Sequence, residues 1–84
     1  MPVISRFYGI VIQMRFSKRE HNPPHIHATY SGYKATFSII DGSLLAGKFP
    51  PRAQQLVSEF ILHYQKELQD IWTTQDFREL PPIE

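Results

Sequence analysis

The stretch His21-Asn22-Pro23-Pro24-His25-Ile26-His27 gathers three of the chain's four histidines around a Pro-Pro step. Imidazole changes charge near neutral pH and is a common metal ligand. Consecutive prolines fix φ and remove backbone donors, so the segment is stiff. Three readings follow. On a strand His25 and His27 point to one side, about 7 Å apart along the chain. With His21 they would make three imidazole ligands that leave a zinc ion one open position. Alternatively, His25 and His27 are a catalytic acid–base pair acting on a phosphodiester without metal. Arg15 or Lys34 then holds the phosphate, and aromatic rings offer stacking surfaces for bases. In the third reading the histidines cap backbone groups in a rigid connector, and the domain is a protein-interaction module. The residue order does not meet the hydrophobic-His-hydrophobic-His pattern of nucleotide hydrolases. Arg52, beside Pro50-Pro51, adds a candidate anion contact at a helix start.

These residues need a scaffold. Residues 6–16 read as one strand, because Tyr8, Ile10, Ile12, Met14 and Phe16 alternate with their neighbours; Gly9 marks a bulge within it. Residues 17–24 form a polar, proline-rich connection. Ser31-Gly32 and Asp41-Gly42 read as two-residue hairpin turns, which delimits strands at about 25–30, 33–40 and 43–48. The first turn sets the register: Tyr30 faces Tyr33, Ala28 faces Ala35 and Ile26 faces Phe37, all on an apolar side. His25, His27, Thr29, Lys34, Thr36 and Ser38 take the other side, joined by Gln13 and Arg15. Leu56, Val57, Phe60, Ile61, Tyr64, Leu68, Ile71 and Trp72 recur with helical period. They predict one long helix over about 51–78, or two with a bend near His63, covering the apolar side. Lys66 and Asp70 read as a helical i,i+4 pair, and Leu80-Pro81-Pro82-Ile83-Glu84 as an extended tail. The expected fold is α+β: a four-stranded, mainly antiparallel sheet with a C-terminal helix on one face, in a single domain.

Bulk composition narrows the setting. The chain has 84 residues, 42% of them hydrophobic, and no cysteine. That rules out disulfides, zinc thiolates and cysteine nucleophiles, and suits a reducing cytoplasm. The N-terminus lacks the pattern of a signal peptide, and no apolar run is long enough to span a bilayer. A chain this short buries a modest core and gains stability from a partner or from a homo-oligomer. Charge is unevenly spread. Residues 1–49 carry six Lys/Arg against two acids, +4, while residues 50–84 carry three against six, −3. The first half is therefore expected to present a basic face and the second an acidic one.

Several blocks together resemble a small bacterial family known as domain of unknown function 4160. They are Ile4-Ser5-Arg6-Phe7-Tyr8-Gly9-Ile10-Val11-Ile12, the block His21-Asn22-Pro23-Pro24-His25-Ile26-His27-Ala28, and the Pro50/Arg52 helix start with Glu67-Leu68 and Trp72. The resemblance covers nearly the whole chain, and the His-Asn-Pro-Pro-His-x-His block is its most specific mark. It implies a cytoplasmic bacterial protein encoded beside a second small protein similar to domain of unknown function 2442, in an arrangement like a toxin–antitoxin pair. It implies no catalytic residues. The expectation is a toxin-like or regulatory protein that acts on RNA or DNA through the histidine-bearing face and needs no cofactor. The alternatives are a zinc-binding domain and a purely structural interaction module.

Overall fold

The computed structural model describes residues 3–15, 23–76 and 78–82. Five strands form one antiparallel sheet in chain order: β1 (Val3–Phe7), β2 (Ile10–Gln13), β3 (His25–Tyr30), β4 (Tyr33–Ser38) and β5 (Leu44–Gly47). Two helices follow, α1 (Pro51–His63) and α2 (Gln65–Thr74). The α+β class stands, with five strands in place of four; of the two helical readings, one long helix or two meeting near His63, the structure has two helices. Phe16, the connection 17–22 and the tail end at Ile83 and Glu84 lie outside the described residues.

The extra strand comes from the stretch read as one. Tyr8 and Gly9 both have positive φ, 51° and 79°, the backbone that lets a two-residue turn follow strand twist. Phe7 then pairs with Ile10, Arg6 with Val11 and Ser5 with Ile12. The turn hid inside the alternation because it leaves Ile10, Ile12 and Met14 pointing inward. It also turns Phe7 inward and exposes Tyr8. The Ser31-Gly32 hairpin forms as expected, with positive φ at both residues and the predicted pairs from Tyr30–Tyr33 to Ile26–Phe37.

The Asp41-Gly42 turn is wider than two residues. β4 stops at Ser38, whose N–H donates to Ser43 O at 2.8 Å, and β5 starts at Leu44. Buried Ile39 donates its N–H to Pro24 O at 2.9 Å, which takes the chain off a tight hairpin path. The loop is tied to the helices instead. Ser58 Oγ donates to Gly42 O at 2.7 Å, and the Gln65 amide donates to the carbonyls of Ile39 and Ile40. In β5 the pairing jumps from Thr36–Ala46 to Phe37–Leu44, so Leu45 is the extra residue of a bulge.

The core lies between the inward sheet face and the helices. Ile4, Ile12, Ile26 and Phe37 from the sheet and Val57, Phe60, Ile61, Leu68 and Ile71 from the helices are fully buried. Phe7 stacks on Phe60 at 5.0 Å between ring centroids. The helical stretch breaks at Tyr64 (φ −107°, ψ 28°), one residue past His63, which is exposed and meets the Tyr64 ring edge-on at 4.5 Å. α2 ends at Thr74, short of residue 78, because Gln75 takes a left-handed conformation (φ 58°) and donates its N–H to Ile71 O. Asp70 pairs with Arg78 at 3.2 Å, not with Lys66. In the tail Leu80 is buried, and its N–H reaches Ile4 O at 2.7 Å, covering part of the outer edge of β1. Among the described residues no helix is long and apolar enough to cross a membrane.

Candidate nucleic-acid interface

Sheet register brings residues that are distant in sequence into transverse rows. Paired residues share a face, so Arg6, Val11, Thr29 and Lys34 form one row on the side away from the core. Gln13, His27, Thr36 and Ala46 form the next row. The two rows are two residues apart on each strand, roughly 7 Å. The face was expected to hold Gln13, Arg15, His25, His27, Thr29, Lys34, Thr36 and Ser38. Six of the eight line one open concavity of about 250 Å³, whereas His25 and Ser38 are buried and do not. Among the described residues no carboxylate lines it, and its cations are Arg15 and Lys34, with His27 among hydroxyl and amide groups. Arg6 is an addition. In one continuous strand it shares parity with inward-facing Ile10; the turn at Tyr8-Gly9 moves it to the outer row. The available signal was a predicted strand about twice the usual length with a glycine inside it.

The two strand histidines do not play equal parts. His25 opposes Ser38 on the outer parity but is only 9% exposed. Its ring lies 5.0 Å from the Trp72 ring and 5.2 Å from the His27 ring. Nδ1 donates to the Pro23 carbonyl at 2.9 Å, since a carbonyl only accepts. Pro23 thus serves as a backbone anchor for His25, and the stiffness of the Pro-Pro step gives that anchor a fixed place. His27 is half-buried and lines the concavity; His25 does not. Trp72, read as core, is half-buried and links α2 to this end of the face.

His21, the third proposed metal ligand, and neighbouring Glu20 lie outside the described residues. Among the described residues no group of three His, Asp or Glu side chains is close enough to hold a metal. His25 and His27 alone offer two imidazoles. Arg52, the third proposed phosphate contact, is not brought to the concavity of Arg15 and Lys34. It lines a separate cavity of about 330 Å³ with Tyr8, Ile10, Tyr30, Pro50 and Leu56. The Asp41 carboxyl is held below its ordinary value by hydrogen bonds from Ser43, first from the hydroxyl and then from the backbone N–H. It belongs to the β4–β5 loop, not to the open face.

A small α+β domain with one sheet face packed on helices and the other polar, basic and accessible is the class this geometry defines. The chain belongs to the family described as domain of unknown function DUF4160, whose sequence pattern matches residues 9–73. Comparison with curated proteins gives no match, and comparison with solved structures gives none.

Proposed function

We propose that this protein binds RNA or DNA through the outer face of its sheet, as the toxin-like or regulatory member of a bacterial gene pair. The observation that carries the reading is the concavity lined by Arg15, Lys34 and His27 together with Gln13, Thr29 and Thr36, and by no carboxylate among the described residues. Guanidinium and ammonium groups neutralise phosphates, and hydroxyl and amide groups orient the sugar–phosphate chain. His27 adds a group that can donate a hydrogen bond to a phosphate or accept one from a 2′-hydroxyl. One imidazole at the concavity supports binding better than cleavage. Acid–base cleavage of a phosphodiester needs a second proton carrier at the site, and buried His25 is turned to Pro23 and Trp72. The toxin-like setting, with a small cognate protein partner, rests on the family resemblance.

Fluorescence anisotropy with a labelled single-stranded RNA, run across a salt series, tests the reading. Wild type is expected to bind with an affinity that falls as salt rises. Arg15→Ala and Lys34→Ala should each reduce the salt slope by about one, and His27→Ala should weaken binding. Equal affinities for wild type and all three variants would rule the reading out. Expression of the chain alone tests the toxin-like part: growth arrest relieved by His27→Ala is expected, and unaffected growth would count against it.

A further inference from the structure

Three concavities share lining residues in series. The first, with Arg15, His27 and Lys34, has Thr29 and Lys34 in common with a second of about 300 Å³ over the Tyr8-Gly9 and Ser31-Gly32 turns. The second shares Tyr30 with the third, which holds Tyr8, Arg52 and Leu56. Among the described residues no carboxylate lines any of the three. Cations recur along the series: Arg15 and Lys34 in the first, Lys34 again in the second, Arg52 in the third. Among the described residues no partner pairs with Arg52. Gly9 and Gly32 lie along the middle section with Tyr30, Tyr33 and Lys34; nothing stands within 4 Å of where a Gly32 side chain would project, while the Tyr30 ring lies 3.4 Å from where a Gly9 Cβ would sit.

The third cavity differs in character. Ile10 and Ala53, both buried, line it together with Tyr8 and Tyr30. Tyr8 is 65% exposed and has φ 51°. A bulky residue pays a steric cost in that conformation, where glycine or asparagine fits with less strain. The ring meets the buried Phe7 ring edge-on at 6.4 Å between centroids and is otherwise presented at the surface.

We propose that the three concavities are one track for a single-stranded nucleic acid, with a base-binding subsite between Tyr8 and Tyr30 and Arg52 on the adjoining phosphate. This rests on the nucleic-acid reading of the open face and extends it. Successive phosphates meet Arg15, Lys34 and Arg52, and the chain crosses the glycine turns at the end of the sheet. Unstacked bases are what such a path can accept. An aromatic-sided pocket takes a base in a single strand, whereas a duplex keeps its bases stacked inside.

The test compares a dinucleotide, a single strand of about six nucleotides and a duplex of the same sequence. Binding is read by anisotropy for wild type, Tyr8→Asn, Arg52→Ala and Lys34→Ala. Asparagine tolerates the left-handed turn, so Tyr8→Asn removes the ring without straining the fold; thermal melts of each variant check that. The longer single strand should bind wild type about tenfold or more tighter than the dinucleotide, and tighter than the duplex. Tyr8→Asn and Arg52→Ala should each lose about tenfold for the longer strand, and Lys34→Ala should weaken it too. If Tyr8→Asn and Arg52→Ala bind the longer strand like wild type while Lys34→Ala weakens it, the track is wrong and the open-face reading stands. A preference for duplex also overturns the track. If wild type binds none of the three nucleic acids, the open-face reading falls and the track with it.

Discussion

At the residue scale the two described histidines of the block, His25 and His27, differ in their surroundings. His25 contacts Trp72 and donates to Pro23 O, while His27 lines the concavity. His25→Ala is expected to cost roughly 1–3 kcal/mol of stability, because a hydrogen bond and a ring contact are lost from a nearly buried position. His27→Ala should stay within about 0.5 kcal/mol of wild type and lose nucleic-acid affinity. Urea unfolding followed through Trp72, the only tryptophan, separates the two variants. Asp41 gives a pH prediction. Its folded-state carboxyl is held low by Ser43, so its contribution is present above the unfolded-state pKa and is lost as pH falls through the folded-state value. Ser43→Ala should raise the Asp41 titration midpoint in a carboxyl-detected NMR titration; an unchanged midpoint would refute the assignment. Ser5 Oγ is buried with no hydrogen-bond partner among the described residues. Ser5→Ala should therefore leave stability unchanged or raise it by about 1 kcal/mol, as read by chemical denaturation.

At the scale of elements, the turns decide the face. Ser31-Gly32 was legible because glycine is the usual occupant of a left-handed turn position, and the β3–β4 register follows from it. Tyr8-Gly9 was not legible, since tyrosine is a poor residue for positive φ and the inward alternation continues through the turn. The Asp41-Gly42 signal was real but led to too short a loop. Its geometry is fixed by Ser58, Gln65 and Pro24, partners that no local pattern announces. Two substitutions test this account. Tyr8→Asn should stabilise the fold by about 1 kcal/mol, because it relieves a left-handed non-glycine residue. Gly47→Ala should destabilise by several kcal/mol. Gly47 has φ 88°, and an added Cβ would lie 2.3 Å from Lys34 O and 2.9 Å from Ala35 Cα, both backbone atoms. Thermal melts give both signs; a neutral Gly47→Ala would mean that β4 and β5 are not packed this closely.

At the scale of the whole molecule, the basic and acidic halves of the chain take different layers. Arg6, Arg15 and Lys34 belong to the sheet and its outer face, while Glu59, Glu67 and Asp70 lie on the helices behind it. An anionic chain is thus drawn to one side of the molecule and repelled from the other. The tail completes the fold by placing Leu80 against β1. Leu80→Ala should cost about 2 kcal/mol or more through the cavity it leaves and bare more of an edge strand. A lowered Tm, with association detected by light scattering, is the expected result.

Composition, period and turn chemistry by themselves determined an α+β domain, the β3–β4 register, the helical core residues Val57, Phe60, Ile61, Leu68 and Ile71, and the side of the sheet that carries His27, Arg15 and Lys34. Those features depend on residue type and spacing along one segment. Tertiary structure alone decided the rest: the split of the first strand, which sends Arg6 outward; the burial of His25 against Trp72; and the separation of Arg52 from Arg15 and Lys34. Each of these depends on contacts between segments far apart in the chain, where packing against the core outweighs local preference.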